Sequence, residues 1–118
     1  MRDSTRWENY IGGAWRKPAG KKDIVILDPG TGRPYKTVGS SSAADVDAAV
    51  DAARAAFKTR ALYEMQPHAR MLLLFRIANE LRALADEIVP VLVHENGKSV
   101  SFAKDEIESA AQYFEYYG

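Results

Sequence analysis

The spacing of apolar residues changes once along this chain, at Ser42, and does not change back. Before that point short apolar runs are broken by glycine and proline, the pattern of strands and turns. After it apolar residues recur at three- and four-residue intervals, the period of amphipathic helices. Such a chain places its strands together at one end of the sequence.

The strand region spans residues 9–39. Tyr10-Ile11 and Ala14-Trp15 flank Gly12-Gly13, a two-residue loop whose glycines tolerate the positive φ of primed hairpin turns. Lys17 to Lys22, with Pro18 and Gly20, reads as an exposed loop. Ile24-Val25-Ile26-Leu27 is a β-branched apolar run halted by Asp28-Pro29-Gly30-Thr31-Gly32, and Tyr35-Lys36-Thr37-Val38 then alternates as a half-buried strand. Two hairpins are predicted, with more edge than they protect.

Four helices are predicted beyond them, over 42–58, 67–85, 86–96 and 99–117. Ser42 and Asp45 form a capping-box-like start to the first, whose apolar stripe is Val46, Ala49, Val50, Ala53 and Phe57. Asp47, Asp51, Arg54 and Lys58 lie off that stripe, acids early and bases late, as the helix dipole favours. Pro67 suits the first turn of the second helix. One face there carries Met71, Leu74, Phe75, Ala78, Leu81 and Ala85, and another Leu73, Ile77 and Leu84, a two-sidedness that predicts burial against more than one layer. Asp86 is the expected cap of the third helix and Gly97 its left-handed terminator. Pro90 removes a backbone donor about one turn in, so that helix is expected to start later or to bend. The fourth presents Val100, Ala103, Ile107, Ala110, Ala111, Phe114 and Tyr117 on one broad face. The expectation is that no later segment covers these faces, and truncation of Phe57 or Phe75 to alanine tests the expected burial of each.

Composition narrows the function. Sixteen basic and sixteen acidic residues cancel, so no net field draws the chain to nucleic acid or to an anionic membrane. The run Met71-Leu72-Leu73-Leu74-Phe75 ends at Arg76, far short of a membrane span, and the charged start Met1-Arg2-Asp3-Ser4-Thr5-Arg6 lacks a signal-peptide core. No cysteine occurs among the 118 residues, which removes disulfides, thiolate metal sites and thiol nucleophiles, and a cytoplasmic protein is the expectation.

Most chemical motifs dissolve on inspection. Gly30-Thr31-Gly32 resembles half a phosphate loop, but Pro34 and a strand follow where a helix N-terminus is required. His68 and His94 lack the spacing of a helical zinc site. The acids around Asp45 to Asp51 and Asp105 to Glu108 fall on polar helix faces and read as solvated charge. Tyr10, Trp15, Tyr113, Tyr116 and Tyr117 lack a basic stripe and read as packing aromatics. Glu95-Asn96-Gly97-Lys98 is more pointed. Gly97 as terminator and Lys98 as dipole partner explain most of it, while a functional account uses Glu95 with backbone carbonyls to hold a cation.

Taken in order, the pieces resemble the N-terminal segment of the aldehyde dehydrogenase superfamily. The resemblance is carried by Tyr10-Ile11-Gly12-Gly13-Ala14-Trp15, Asp28-Pro29-Gly30-Thr31-Gly32-Arg33, Ala44-Asp45-Val46-Asp47-Ala48-Ala49-Val50 and Ala52-Ala53-Arg54-Ala55-Ala56-Phe57. It continues through Arg70-Met71-Leu72-Leu73, Glu95-Asn96-Gly97-Lys98 and Ala110-Ala111-Gln112-Tyr113-Phe114-Glu115-Tyr116-Tyr117. It implies an α+β segment, N-terminal β-hairpins then about four helices, of the α/β aldehyde dehydrogenase fold, about the first quarter of such an enzyme. Members oxidise aldehydes to carboxylic acids with NAD or NADP: a cysteine attacks the carbonyl, a hydride passes to the nicotinamide, and a glutamate-activated water releases the acid. The resemblance places those groups beyond the matching segment.

The expectation is therefore a partial N-terminal region over 1–118, inactive alone, with no catalytic or cofactor-binding residue of its own and no tight binding of NAD or NADP. The aldehyde substrate belongs to the complete enzyme. The resemblance also implies a monovalent cation held by the backbone oxygens of Ile26 and Leu27 and by Glu95, and a substrate tunnel bordered by Ala110 and Phe114. Three residues depart from the family pattern: Asp28 where asparagine is commoner, Arg60 where tryptophan is frequent, and Pro90 ahead of Glu95. The alternative is a non-catalytic interaction or oligomerisation module that associates with itself or with a full-length relative. Neither reading involves nucleic acid or a membrane.

Overall fold

The protein is described here by a computed structural model over residues 6–118. Residues 1–5 of the charged N-terminal stretch, and the signal-peptide argument that rests on them, lie outside the described residues. The chain divides into two compact units. One comprises the described residues up to Leu27 together with Gly32–Ala61, and the other comprises Asp28–Thr31 and Leu62–Gly118.

In the first unit, β2 (Asn9–Ile11) and β3 (Ala14–Arg16) form the expected hairpin, Gly12 and Gly13 turning at φ of 60° and 81°. Tyr10 pairs with Trp15 across it, their rings 5.0 Å apart and tilted, the cross-strand aromatic contact such a register permits. β4 (Asp23–Leu27) and β5 (Pro34–Gly39) make the second hairpin, with a register shift between Ile26 and Leu27. A strand not anticipated from the sequence, β1 (Arg6–Trp7), pairs in parallel with the other edge of β5. It protects an edge that two hairpins alone would leave open.

The loop from Lys17 to Lys22 is less free than its composition suggests. Gly20 N–H donates to the Ser40 carbonyl at 2.9 Å, Ser40 N–H returns a bond to Lys22 at 2.8 Å, and the Ser40 hydroxyl accepts from Lys22 N–H. Asp45 adds a third anchor. Its carboxylate accepts from Ala19 N–H at 2.9 Å and from Ser42 N–H at 2.8 Å, completing a capping box at the start of α1 (Ala43–Lys58). These donors, Ser42 N–H first, hold the Asp45 carboxyl below the usual carboxylate range.

The stripe read on α1 has the right period and the opposite orientation. No residue of α1 is buried, and its half-covered positions are Asp45, bonded to the Ala19 loop, and Ala48 and Ala52, the latter beside Gly12 of the first hairpin. Val46 is 55% exposed, Val50 42% and Phe57 87%. The expected burial of Phe57 is thus corrected. Amphipathicity shows that a face is apolar; it does not show that the chain at hand supplies the cover.

The second unit is helical: α2 (Ala61–Glu64), a single turn missed in the sequence, then α3 (Pro67–Ala83), α4 (Ala85–Asn96) and α5 (Val100–Tyr117). α3 ends two residues earlier than expected. Leu84, at φ −91° and ψ 2°, serves as both its C-cap and the N-cap of α4, a junction tight enough to exclude Asp86 from the capping role. α4 runs unbroken through Pro90, because the lost donor falls in an early turn and costs one intrahelical bond. Ser99 caps α5 by accepting from Phe102 N–H.

α3 and α5 pack antiparallel: Gly118 lies beside Met71 and Leu74, while Arg82 reaches Glu108. Ala78 of α3 and Ala111 of α5 are fully buried, and small side chains there let the helix axes approach. The core cluster is Val89, Ala103 and Ile107, with Leu81, Ala85, Ile88, Leu92 and Val93 packed against it. Phe75 on the first of α3's apolar faces stays 40% exposed and Leu84 on the second 42%, so both faces are only part-covered and the expected burial of Phe75 is corrected as well. Among the described residues no helix is long and apolar enough to cross a membrane.

Candidate functional site

The most organised polar arrangement in the second unit joins the Asp28–Thr31 turn to the C-terminal end of α4. Proline at position 29 and the acceptor side chain of Asp28 make the turn. Asp28 Oδ1 accepts from Gly30 N–H at 2.7 Å and from Thr31 N–H at 3.3 Å. The other oxygen lies 2.8 Å from His94 Nδ1. His94 lies in the last turn of α4, where the helix dipole favours a cation. The bond to His94, followed by that from Gly30 N–H, holds the Asp28 carboxyl below the usual carboxylate range. Gly97 closes α4 at φ 68°, and a Cβ there would come within 2.9 Å of Pro29 Cγ. Glycine is thus required at this position by both backbone conformation and close approach.

This arrangement was missed in the sequence. In the sequence Asp28 stands as part of a turn, and His94 as a histidine without the spacing of a zinc ligand. The two are 66 positions apart, and no spacing rule links a loop aspartate to a helix-end histidine. Of the expected cation ligands, Ile26 and Leu27 lie on β4 in the first unit, and Glu95 is exposed near the end of α4 in the second. No cluster of three or more His, Cys, Asp or Glu side chains suited to a metal ion occurs among the described residues. The Gly30-Thr31-Gly32 turn leads into β5, as the argument against a phosphate loop required.

The expected tunnel residues both lie on α5. Ala110 is half-buried and Phe114 is 36% exposed, next to the buried row Ala103, Ile107 and Ala111. Beyond them Tyr113, Tyr116 and Tyr117 stand largely exposed, the last two in edge contact at 4.9 Å.

A second polar cluster is structural. Arg82 on α3 meets both Glu108 and Glu115 on α5, Nη2 to Glu108 Oε1 at 2.8 Å and Nη1 to Glu115 Oε1 at 2.5 Å. The fork geometry of the guanidinium satisfies two carboxylates at once. Arg82 holds the Glu108 carboxyl down to about 2 and lowers Glu115 as well. A carboxylate depressed by folding contributes stability above its ordinary range and loses it as pH falls toward the folded value. Thermal melts should therefore show the helical unit weakening as pH drops from about 5 to about 2. Arg82→Met should flatten that dependence, and an unchanged profile would exclude the network as its source.

Comparison with known proteins places these features in context. The profile of the aldehyde dehydrogenase family matches residues 15–118. Fluoroacetaldehyde dehydrogenase of Streptantibioticus cattleyicolor is 34% identical over 113 residues, 95% of this chain and 22% of that protein. Acetaldehyde dehydrogenase 2 of Cupriavidus necator is 36% identical over 113 residues, again 95% and 22%. Among solved structures, an NAD-dependent aldehyde dehydrogenase from Sinorhizobium meliloti superposes with a TM-score of 0.84 at 30% identity, covering 98% of this chain and 23% of that one. An NAD-dependent benzaldehyde dehydrogenase from Corynebacterium glutamicum gives 0.83 at 28%, covering 98% and 25%. The chain spans about a fifth of the length of the relatives it matches.

Proposed function

This chain belongs to the aldehyde dehydrogenase family, and we propose that it forms the N-terminal part of a cytoplasmic oxidoreductase that converts an aldehyde to a carboxylic acid with NAD or NADP. The observation that carries this reading is the family match over residues 15–118, joined to a fold that superposes on the corresponding portion of solved members. The chain's own contribution is scaffold. Its described residues offer no dinucleotide cradle, since both paired-glycine turns, Gly12-Gly13 and Gly30-Thr31-Gly32, lead into strands. They offer no thiol for covalent attack either, as the chain has no cysteine. NAD or NADP supplies hydride acceptance only in the complete enzyme. Ala110 and Phe114, on the part-covered margin of α5, are proposed to border its substrate path.

Incubating the 118-residue chain with NAD or NADP and a panel of aldehydes should give no reduced nicotinamide above the buffer blank. Turnover would overturn the scaffold reading. Exposed apolar surface on α1 favours a second reading, a non-catalytic module that associates through its bare faces.

A further inference from the structure

We propose that Asn96-Gly97, at the end of α4, is a site of spontaneous deamidation, and that the Gly97 cap holds it closed in the folded chain. In this reaction the backbone nitrogen of Gly97 forms a bond to Asn96 Cγ and gives up its proton. The side-chain amide leaves as ammonia, and a five-membered succinimide ring results. Water then opens the ring at one carbonyl or the other. The products are aspartate and isoaspartate, in which the main chain runs through the former side chain. No oxidant or cofactor enters the balance.

The sequence singles out this position. The chain has three asparagines, Asn9, Asn79 and Asn96, followed by Tyr10, Glu80 and Gly97. Glycine has no side chain to shield its nitrogen, and it has the widest backbone freedom to reach the ring geometry. In the unfolded chain Asn96 is therefore the reactive asparagine.

The structure opposes each requirement of the attack. Gly97 N–H, which supplies the nucleophile, is committed to the Val93 carbonyl at 2.9 Å. Asn96 is the last residue of α4, so its ψ is helical. That ψ staggers Cβ and the Gly97 nitrogen about the Cα–C bond, whereas ring closure needs them eclipsed. Gly97 is itself set at φ 68° and ψ 21°, with room for no Cβ beside Pro29. Pro29 belongs to the turn that Asp28 fastens to His94 through the 2.8 Å contact with Nδ1. The attack thus waits for the last turn of α4 to open, a local event that costs less than global unfolding. Once made, the change is not undone by refolding. A new carboxylate stands beside Glu95 at a helix C-terminus, where the dipole disfavours anions. Isoaspartate also adds a main-chain atom ahead of Ser99, the cap of α5, so the Gly97 cap cannot re-form in its present register.

Peptide mapping of the full chain during incubation in mildly alkaline buffer reads conversion at each asparagine. In denaturing urea Asn96 should convert faster than Asn9 and Asn79. In native buffer it should convert at least about tenfold more slowly than in urea, in step with hydrogen exchange at the Gly97 amide. Asp28→Ala removes the fastening and leaves the residues around position 96 unchanged. Its rate in urea should match that of the original chain, and its native rate should rise about threefold or more together with Gly97 exchange. Asp28→Asn, which keeps an acceptor for Gly30 N–H, should stay close to the original. If Asp28→Ala unfolds outright, seen as lost protection at the Ala78 and Ala111 amides, sub-denaturing urea on the original chain takes its place. Conversion and Gly97 exchange should then climb together. Asn96 reacting no faster than Asn79 in urea overturns the site. Equal native and unfolded rates, or conversion indifferent to Gly97 exchange, overturn the closure by the cap.

Discussion

Truncating Ile107 to alanine should destabilise the helical unit by about 2–4 kcal/mol, whereas the larger truncation Phe57→Ala should change stability by less than about 0.5 kcal/mol. Ile107 is 6% exposed in the cluster with Val89 and Ala103, with Leu81, Ile88 and Leu92 packed against it. Phe57 is 87% exposed at the end of α1, so removing its ring in the monomer opens no cavity. Sequence alone ranks these two residues the other way, phenylalanine having more surface to bury. Urea titrations followed by helical circular dichroism, at concentrations where the chain is monomeric, separate the cases. Comparable losses from the two truncations would show that α1 is packed in solution.

Gly20→Ala should be the most damaging single-methyl change in the first unit, at about 3 kcal/mol, combining overpacking with lost hydrogen bonds. A Cβ at position 20 would lie 2.2 Å from the Ser40 carbonyl oxygen and 2.3 Å from its hydroxyl. Rotation of the serine side chain relieves only the second contact. The first is backbone, so the loop must move away from β5, breaking the Gly20–Ser40 bond and the Lys22 bonds beyond it. Hydrogen exchange at the Ser40 and Lys22 amides should quicken while the α3–α5 amides keep their protection. Retained protection at Ser40 would mean that the loop accommodates the methyl.

The features read correctly in the sequence are those governed by neighbours along the chain. The Gly12-Gly13 turn, the Ser42–Asp45 capping box, proline at the start of α3 and glycine at the end of α4 each act within a few residues. Helix limits differ by one residue at Ser42 and Ser99, which are caps, and by more at Leu84, because one residue there caps both helices and no side chain announces it. The resemblance to the family was likewise legible, carried by the order of short motifs, and the match over residues 15–118 bears it out.

Contacts between distant segments were not legible. Asp28 and His94 meet because a turn settles against the end of α4, and Arg82 gathers Glu108 and Glu115 because α3 and α5 run antiparallel. Each depends on how elements dock, which local propensity does not encode. α1 marks the boundary between the two kinds of information. Its periodicity identified the apolar stripe correctly, since the helical repeat is a local property. Which side of α1 is covered was decided in three dimensions, where the hairpin lies beside Ala52 and leaves Val46, Val50 and Phe57 bare. A sequence records that a surface is apolar; only the tertiary arrangement reveals whether anything in the same chain lies against it.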